Sequence, residues 1–424
     1  MGLSVEPAQS PVDLHAAAVR IMARCDELAR YSSLATGIER VYLSPEHARV
    51  NRVAARWMRE VGLDTWQDEA GNQCGHLPGR DPDAPSLLLG SHLDTVRDAG
   101  RFDGILGVLM AIEVVRALGP RWRTAPIGLD VVAFWDEEGA RFGTALLGSS
   151  AMAGLWKPEW WDLTDEHGTT LRTAFHEFGL DPGRIGAAAR PAHTLAGYLE
   201  AHIEQGPDLD RGNAPLGVVT SIASARRFAV TIEGEARHAG GTRYEDRRDA
   251  LLGASEVALA VERLCRAQHH IVGTVGRLET FPGAVNVVPG EARLTVDLRG
   301  EHDDHRDRVW RDISTELDQI AGRRGLRWSA TELHEAPAVW CDGLLQDVVR
   351  AGIEDTGTRD VPTMFSRAGH DAMAIGAVTG VGMLFLRNPD GISHHPAESV
   401  SLADVETGLA ALTATVEHLA REAS

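Results

Sequence analysis

Short unbroken apolar runs recur along the chain, and each ends in polar residues. SLLLGSHLDTV from Ser86, PIGLDVVAFWDEEG from Pro126 to Gly139, GYLEAHIEQGP from Gly197 to Pro207 and VGMLFLRNPDG from Val381 to Gly391 all have this form. Apolar runs without alternation read as strands buried on both faces, as in a parallel sheet covered by helices. GILGVLMAIEVVRAL, Gly104 to Leu118, reads as a helix between two of them. Upstream, Ser10, Pro11 and Asp13 stand as N-cap, N1 and N3 of a helix running to about Tyr31. Pro45 to Val61 reads as a second helix. Strands alternating with helices predict an α/β domain with a mostly parallel sheet.

The stretch from Gly217 to Glu335 has a different order. It reads as strand (Arg227–Glu235), helix (Asp246–Arg266), strand (Ile271–Thr280), strand (Glu291–Arg299), helix (Asp303–Arg323) and strand (Leu326–Glu332). That β-α-β-β-α-β order predicts a ferredoxin-like α+β domain. The expected organisation is a domain built from residues 1–215 and 334–424, with a second domain, 216–333, inserted into it.

Chemistry concentrates at the strand ends, where open α/β sheets bind ligands. The first run carries His92 and Asp94, with Asp103 in the following loop. The second ends in Asp136, Glu137 and Glu138. The third carries His202, Glu204 and Gln205, and the fourth leads to His394 and His395. A lone histidine at a strand end is more often a satisfied hydrogen-bonding group, and DEEG is more often a solvated turn. The convergence of imidazoles and carboxylates from four strand ends changes that balance, because those are the ligands of zinc, manganese or cobalt. Asp94, two residues after His92, is placed to accept the second imidazole N–H. Asp103 either binds metal or caps the helix that begins at Gly104. The adjacent Glu137 and Glu138 point in different directions, so one carboxylate is free for proton transfer while the other binds metal.

Composition narrows the partners. With 42 Lys+Arg against 61 Asp+Glu in 424 residues, the formal net charge is −19. That excludes nucleic acid and an anionic membrane surface as main partners. Lys157 is the only lysine, so recognition of an anionic substrate falls to arginine. Cys25, Cys74, Cys265 and Cys341 form no CxxC pair, and no signal or membrane-spanning run is evident, so a cytoplasmic protein is expected.

Seven motifs, in order GSHLDTVRDAGRFDGILGVL, DEEGARFGTALLGS, HIEQGP, HAGGTRYEDRRDA, NVVPG, AGHDA and GISHHPAE, resemble the hydantoinase/carbamoylase amidases. These belong to the dinuclear metallopeptidase superfamily of aminoacylases and carboxypeptidases. The resemblance implies two divalent ions per subunit, zinc or else manganese, cobalt or nickel. It implies that Asp103 bridges them, with His92 and His202 completing one site and Glu138 and His394 the other. Glu137 is then the general base and Asp94 orients His92. The inserted domain is a lid that also forms a homodimer, with His238 polarising the scissile carbonyl across the dimer. Arg299 clamps the substrate carboxylate and Asn286 hydrogen-bonds it. Gln205, Arg227, Gly369 and His370 match further substrate-contacting positions.

The implied reaction is hydrolysis of a linear C–N amide bond in a ureido acid, above all an N-carbamoyl-L-amino acid, giving amino acid, ammonia and carbon dioxide. Allantoate or ureidoglycolate amidohydrolysis, and cleavage of an N-acyl amino acid or dipeptide, are the alternatives, and a catalytically dead binding protein is a third. Three departures from the family pattern bear on the substrate: Ala225, the HAGGTRYED form of the lid motif, and Arg367, which stands in SRAGHDA where a Gly is usual. The Trp-rich segment Leu155–Leu163 is open between a core role and a pocket wall.

Overall fold

The computed structural model describes residues 13–423. Ser10 and Pro11 therefore lie outside the described residues. Asp13 is the N-cap of the first helix (Leu14–Leu28) rather than its third residue, and its carboxylate accepts the Ala16 N–H at 2.9 Å. The strands in chain order are β1 (Asp64–Gln67), β2 (Gln73–Leu77), β3 (Ser86–His92), β4 (Gly128–Phe134), β5 (Leu195–Ile203), β6 (Leu216–Ile222), β7 (Ser224–Glu233), β8 (Arg237–His238), β9 (Ile271–Phe281), β10 (Val287–Val288), β11 (Glu291–Gly300), β12 (Arg327–Ala336), β13 (Val339–Trp340), β14 (Thr363–Ser366) and β15 (Val381–Leu386).

The chain divides into two compact units. The larger runs to Thr220 and resumes at Cys341–Met364 and from Gly369 onward; the smaller is Ser221–Trp340 with Phe365–Ala368. In the larger unit the sheet path is β1-β2-β4-β3-β5-β15-β6. Its centre is parallel, since β3 pairs with both β4 and β5, and β15 pairs with β5. Its flanks are antiparallel, through β1 on β2, β2 on β4, and β6 on β15. Every residue of β3, β4 and β15 is buried, which is why these strands are written as unbroken apolar runs. The β1–β2 hairpin carries more polar residues and was not anticipated.

Helix Ile105–Leu118 touches β3 and β5 and also helices Leu14–Leu28 and Leu402–Glu422. It brings Glu113 into the core at 1% exposure. Three guanidiniums meet that carboxylate: Arg20 at 2.6 Å, Arg24 at 3.0 Å and Arg116 at 3.2 Å. Arg24 is itself buried. The Trp-rich segment packs as core of this unit. The Trp161 ring lies edge-on to Phe175 at 4.8 Å, and Trp156 leans on Trp161 at 4.7 Å.

The smaller unit has a four-stranded antiparallel sheet, β12-β7-β11-β9. Helices Ala250–Arg266 and Asp303–Arg324 pack on it through Val257, Val261, Val309, Ile313 and Leu317. That is the ferredoxin-like arrangement. The first of these helices starts later than its sequence suggests. Tyr244–Asp246 is a 3-10 turn, and Asp249 caps the helix through the Leu252 N–H. Among the described residues no helix is long and apolar enough to cross a membrane.

Removing one partner of a buried, multiply paired ion leaves the others uncompensated, at a cost of about 3 kcal/mol or more. Glu113→Ala should therefore lower unfolding stability by about 3 kcal/mol in chemical denaturation. A loss below about 1 kcal/mol would show that Glu113 is not what neutralises the buried Arg24.

Candidate metal centre

His92 is the last residue of β3 and His202 the penultimate residue of β5, so adjacent parallel strands deliver both rings to one sheet edge. Glu137 and Glu138 follow β4, and His394 follows β15. The carboxylate of Asp103 is the meeting point. Its Oδ1 lies 3.2 Å from His202 Nε2 and 3.8 Å from His92 Nε2, and its Oδ2 lies 3.0 Å from His394 Nε2. Glu138 Oε1 is 3.3 Å from the same His394 nitrogen, and Glu137 Oε2 is 3.9 Å from His92 Nε2.

Potential ligand atoms therefore fall into overlapping groups: His92 with Asp103 and His202, and Asp103 with Glu138 and His394. Asp103 belongs to both, the layout of two ions sharing one carboxylate. Asp103 does not cap its helix; the N-cap is Gly104, and no side chain caps it. A site for cations is also written in what is left unsatisfied. Asp103 Oδ1 and His202 Nε2 are buried without a hydrogen-bond partner, because their 3.2 Å approach is not aligned as a hydrogen bond. Natural proteins rarely strand buried polar atoms, so such a pair fits a ligand between them.

The other nitrogens of the two buried rings are fixed by main chain. His202 Nδ1 contacts the Ile203 carbonyl at 2.9 Å and His92 Nδ1 the Asp94 carbonyl at 3.1 Å. The Asp94 carboxylate is more distant, 3.6 Å from His92 Nδ1. It accepts instead the N–H groups of Glu137 at 3.2 Å and Glu138 at 3.1 Å. Asp94 thus holds the turn carrying both glutamates, while its carbonyl, rather than its carboxylate, makes the closer contact with the imidazole.

Burial opposes ionisation of Asp103, yet the flanking His202 and His394 imidazoles hold its carboxyl well below the ordinary range. Burial likewise disfavours His202 as a cation, but Asp103 raises it to about 9. Glu137 and Glu138 are pushed up, first by burial and then by neighbouring carboxylates. A dication among these groups inverts that balance, favouring ionised carboxylates and neutral imidazoles.

Other side chains show why the geometry persists. Glu398 Oε1 accepts the N–H groups of Phe102 at 2.8 Å and Asp103 at 3.1 Å. Ser393 Oγ bridges Asp103 Oδ2 and Glu398 Oε2. A Cβ at Gly100 would stand 2.2 Å from Glu398, and one at Gly104, where φ is +71°, 2.4 Å from His92 Nε2. Asp136, Gln205 and His394 all have left-handed φ, a costly backbone that concentrates at functional sites.

The remaining sequence-derived residues are placed as follows. Gln205 Nε2 donates to Asp103 Oδ2 at 2.9 Å, beside the ligand groups. A Cβ on Gly369 would lie 3.7 Å from Glu137 Oε1. His370 is buried with its ring 4.5 Å from that of His202, and with Glu200 and His202 it forms a further group of potential ligands. Glu204 instead accepts the Asp208 and Leu209 N–H groups, and the exposed His395 accepts from Ala397. Asp136 is in none of the ligand groups. Sequence reading did not single out Glu200, Ser393 or Glu398, although GISHHPAE contains two of them.

In the smaller unit, β8 and β10 form a short ribbon pairing His238 with Val287, and the Ala239 N–H donates to the Asn286 carbonyl. His238 Nδ1 accepts the Gly240 and Gly241 N–H groups, which leaves Nε2 as the exposed donor. Arg227 and Arg299 stand on β7 and β11. Both give Nε to the Asp297 carboxylate, at 3.0 and 3.1 Å, and Arg299 Nη1 donates to the Arg367 carbonyl at 2.8 Å. All three arginines line one cavity of about 600 Å³.

Comparison with known proteins converges on one family. Residues 88–418 match peptidase family M20/M25/M40. An N-carbamoyl-L-amino acid amidohydrolase of Geobacillus stearothermophilus is 38% identical over 387 residues, 91% of this chain and 94% of that protein. An allantoate deiminase of Arabidopsis thaliana is 38% identical over 434 residues, 94% of this chain and 82% of that one. The crystal structure of a hydantoinase/carbamoylase family amidase from Burkholderia multivorans superposes with a TM-score of 0.86 at 31% identity, covering 95% of this chain and 98% of that one. With its clustered ligand groups and matching fold, the chain belongs to peptidase family M20/M25/M40 and, within it, to the hydantoinase/carbamoylase amidases.

Proposed function

We propose that this protein hydrolyses the linear C–N amide bond of a ureido acid, most simply an N-carbamoyl-L-amino acid, to amino acid, ammonia and carbon dioxide. It is a hydrolase of C–N bonds other than peptide bonds, as its curated relatives are. The observation that carries the reading is the Glu137 carboxylate beside two ligand groups that share Asp103. Allantoate is the second substrate to test, because the allantoate deiminase of Arabidopsis thaliana is as similar as the carbamoyl hydrolases.

His92, Asp103 and His202 would hold one ion, and Asp103, Glu138 and His394 the other. Two divalent ions there would supply Lewis acidity for attack of water on the amide near neutral pH. Zinc, manganese, cobalt and nickel all suit imidazole and carboxylate ligands. Glu137 takes the proton of the attacking water and delivers it to the leaving nitrogen. Asp94 keeps Glu137 in place through its main-chain N–H. His238, with Nδ1 engaged by two amides, presents Nε2–H to the oxygen on which negative charge develops. Arg299 would bind the substrate carboxylate and Asn286 would hydrogen-bond it, while Gln205, Arg227, Gly369 and His370 would make further substrate contacts.

The chain works as a homodimer joined through the smaller unit. Leu252 and Leu259 are exposed on its helix Ala250–Arg266, and Val272, Leu278 and Phe281 on its edge strand β9. A reducing cytoplasm suits its four buried, free cysteines.

Glu137→Gln should keep two equivalents of metal by elemental analysis and lose at least ~100-fold in ammonia release from N-carbamoyl-L-amino acids. Activity within tenfold of the parent would overturn the base assignment. Chelator-stripped protein should be inactive and recover with zinc, manganese, cobalt or nickel added singly, the ranking naming the metal. Full activity after stripping would end the metal mechanism. Acetate release from N-acetyl amino acids exceeding ammonia release would move the enzyme to the aminoacylases.

A further inference from the structure

The two ligand groups that share Asp103 are not held alike. His202 lies inside β5, paired with Phe385 of β15, and its side chain is 1% exposed, as is that of His92 at the end of β3. His394 is 47% exposed, stands in a loop beyond the end of β15, and has a left-handed φ of +55°. The sheet ladder fixes the first two rings. The third depends on what holds its loop.

A buried side chain does much of that holding. Asn388 is fully buried, just past the end of β15. Its Oδ1 accepts the Gln205 N–H at 3.0 Å, and its Nδ2 donates to the Ile392 carbonyl at 3.0 Å. Those partners belong to different segments. Gln205 follows β5, three residues past His202, and has a left-handed φ of +56°; Ile392 stands two residues before His394. A carboxamide carries an acceptor and a donor side by side, so it can satisfy an N–H on one segment and a C=O on the other at once. The backbones it joins are in close contact, since a Cβ on Gly391 would stand 2.5 Å from the Gly206 carbonyl carbon. Left-handed backbone at non-glycine residues persists where the surroundings over-determine it. Here Asn388 supplies that constraint together with Ser393, whose Oγ bridges Asp103 and Glu398.

We propose that Asn388 is a positioning residue for the Asp103–Glu138–His394 group. It clamps the His394 loop to the turn after β5, and thereby sets how tightly that group holds its ion, while the His92–Asp103–His202 group relies on the sheet. The inference rests on the two-ion reading above and adds to it a residue that acts through the backbone.

Zinc occupancy tests this without substrate, so the outcome is independent of which amide is cleaved. Full-length protein is stripped with a chelator, dialysed to equilibrium against a series of buffered free zinc concentrations, and assayed by elemental analysis. The parent should take up two equivalents, and His394→Ala identifies which step belongs to the loop-held group. Asn388→Ala should leave the other step unchanged and weaken that one by about 10-fold or more. On the His394→Ala background, Asn388→Ala should change zinc uptake no further. Asn388→Ser, small and polar, is measured alongside with circular dichroism on both, so that loss of fold in one variant leaves the other to decide. A loop-held step weakened by less than that, both steps weakened equally, or neither variant folding, overturns the inference. A parent that binds a single equivalent overturns the two-ion reading itself, and this inference with it; two equivalents in the parent with an indifferent Asn388 variant overturns the inference and leaves the two-ion reading standing.

Discussion

The carboxylate of Asp103 lies with three imidazole nitrogens and one carboxamide nitrogen within 4 Å of it, at 4% exposure. Burying an ionised carboxylate costs several kcal/mol unless opposite charge or hydrogen bonds offset it. Here the offset comes from residues on separate strands and loops, His92, His202, Gln205 and His394. The ends of β3, β5 and β15 are therefore bound to one point electrostatically as well as through the sheet. The sheet supplies the convergence, since parallel strands end on the same side. Asp103 gathers the converging side chains around one carboxylate.

Main-chain groups do much of the holding. Asp94 grips the amides of Glu137 and Glu138, Glu398 grips those of Phe102 and Asp103, and carbonyls of Asp94 and Ile203 fix the outer nitrogens of two imidazoles. A ligand carbonyl or amide belonging to a buried loop cannot rotate as a free side chain does. Such anchoring keeps donors and acceptors in position before substrate arrives, the condition under which electrostatic stabilisation is strongest.

How much of this could be read along the chain depended on the range of the interactions. The central strands were legible because burial on both faces leaves a one-dimensional trace, the unbroken apolar run. The ferredoxin-like order was legible because each of its elements is regular and long. The β1–β2 hairpin left no such trace: Asp64–Gln67 is largely exposed, and Gln73 and His76 interrupt its partner. Within the site, the strand-end residues stood out because their types and positions agree. Glu398 did not, because the two amides it caps are nearly 300 residues away in sequence, and nothing near it announces them. Asp103 was ambiguous for the opposite reason, since its local setting before a helix matches a capping residue. Only the fold separates the two roles.

The glycines at 100 and 104 carry a consequence for divergence. Their missing side chains are occupied by Glu398 and His92, so almost any substitution at either position collides with the groups around Asp103. A side chain at either position would displace Glu398 or the His92 ring, and with it the arrangement around Asp103, so both positions are closed to anything larger than hydrogen.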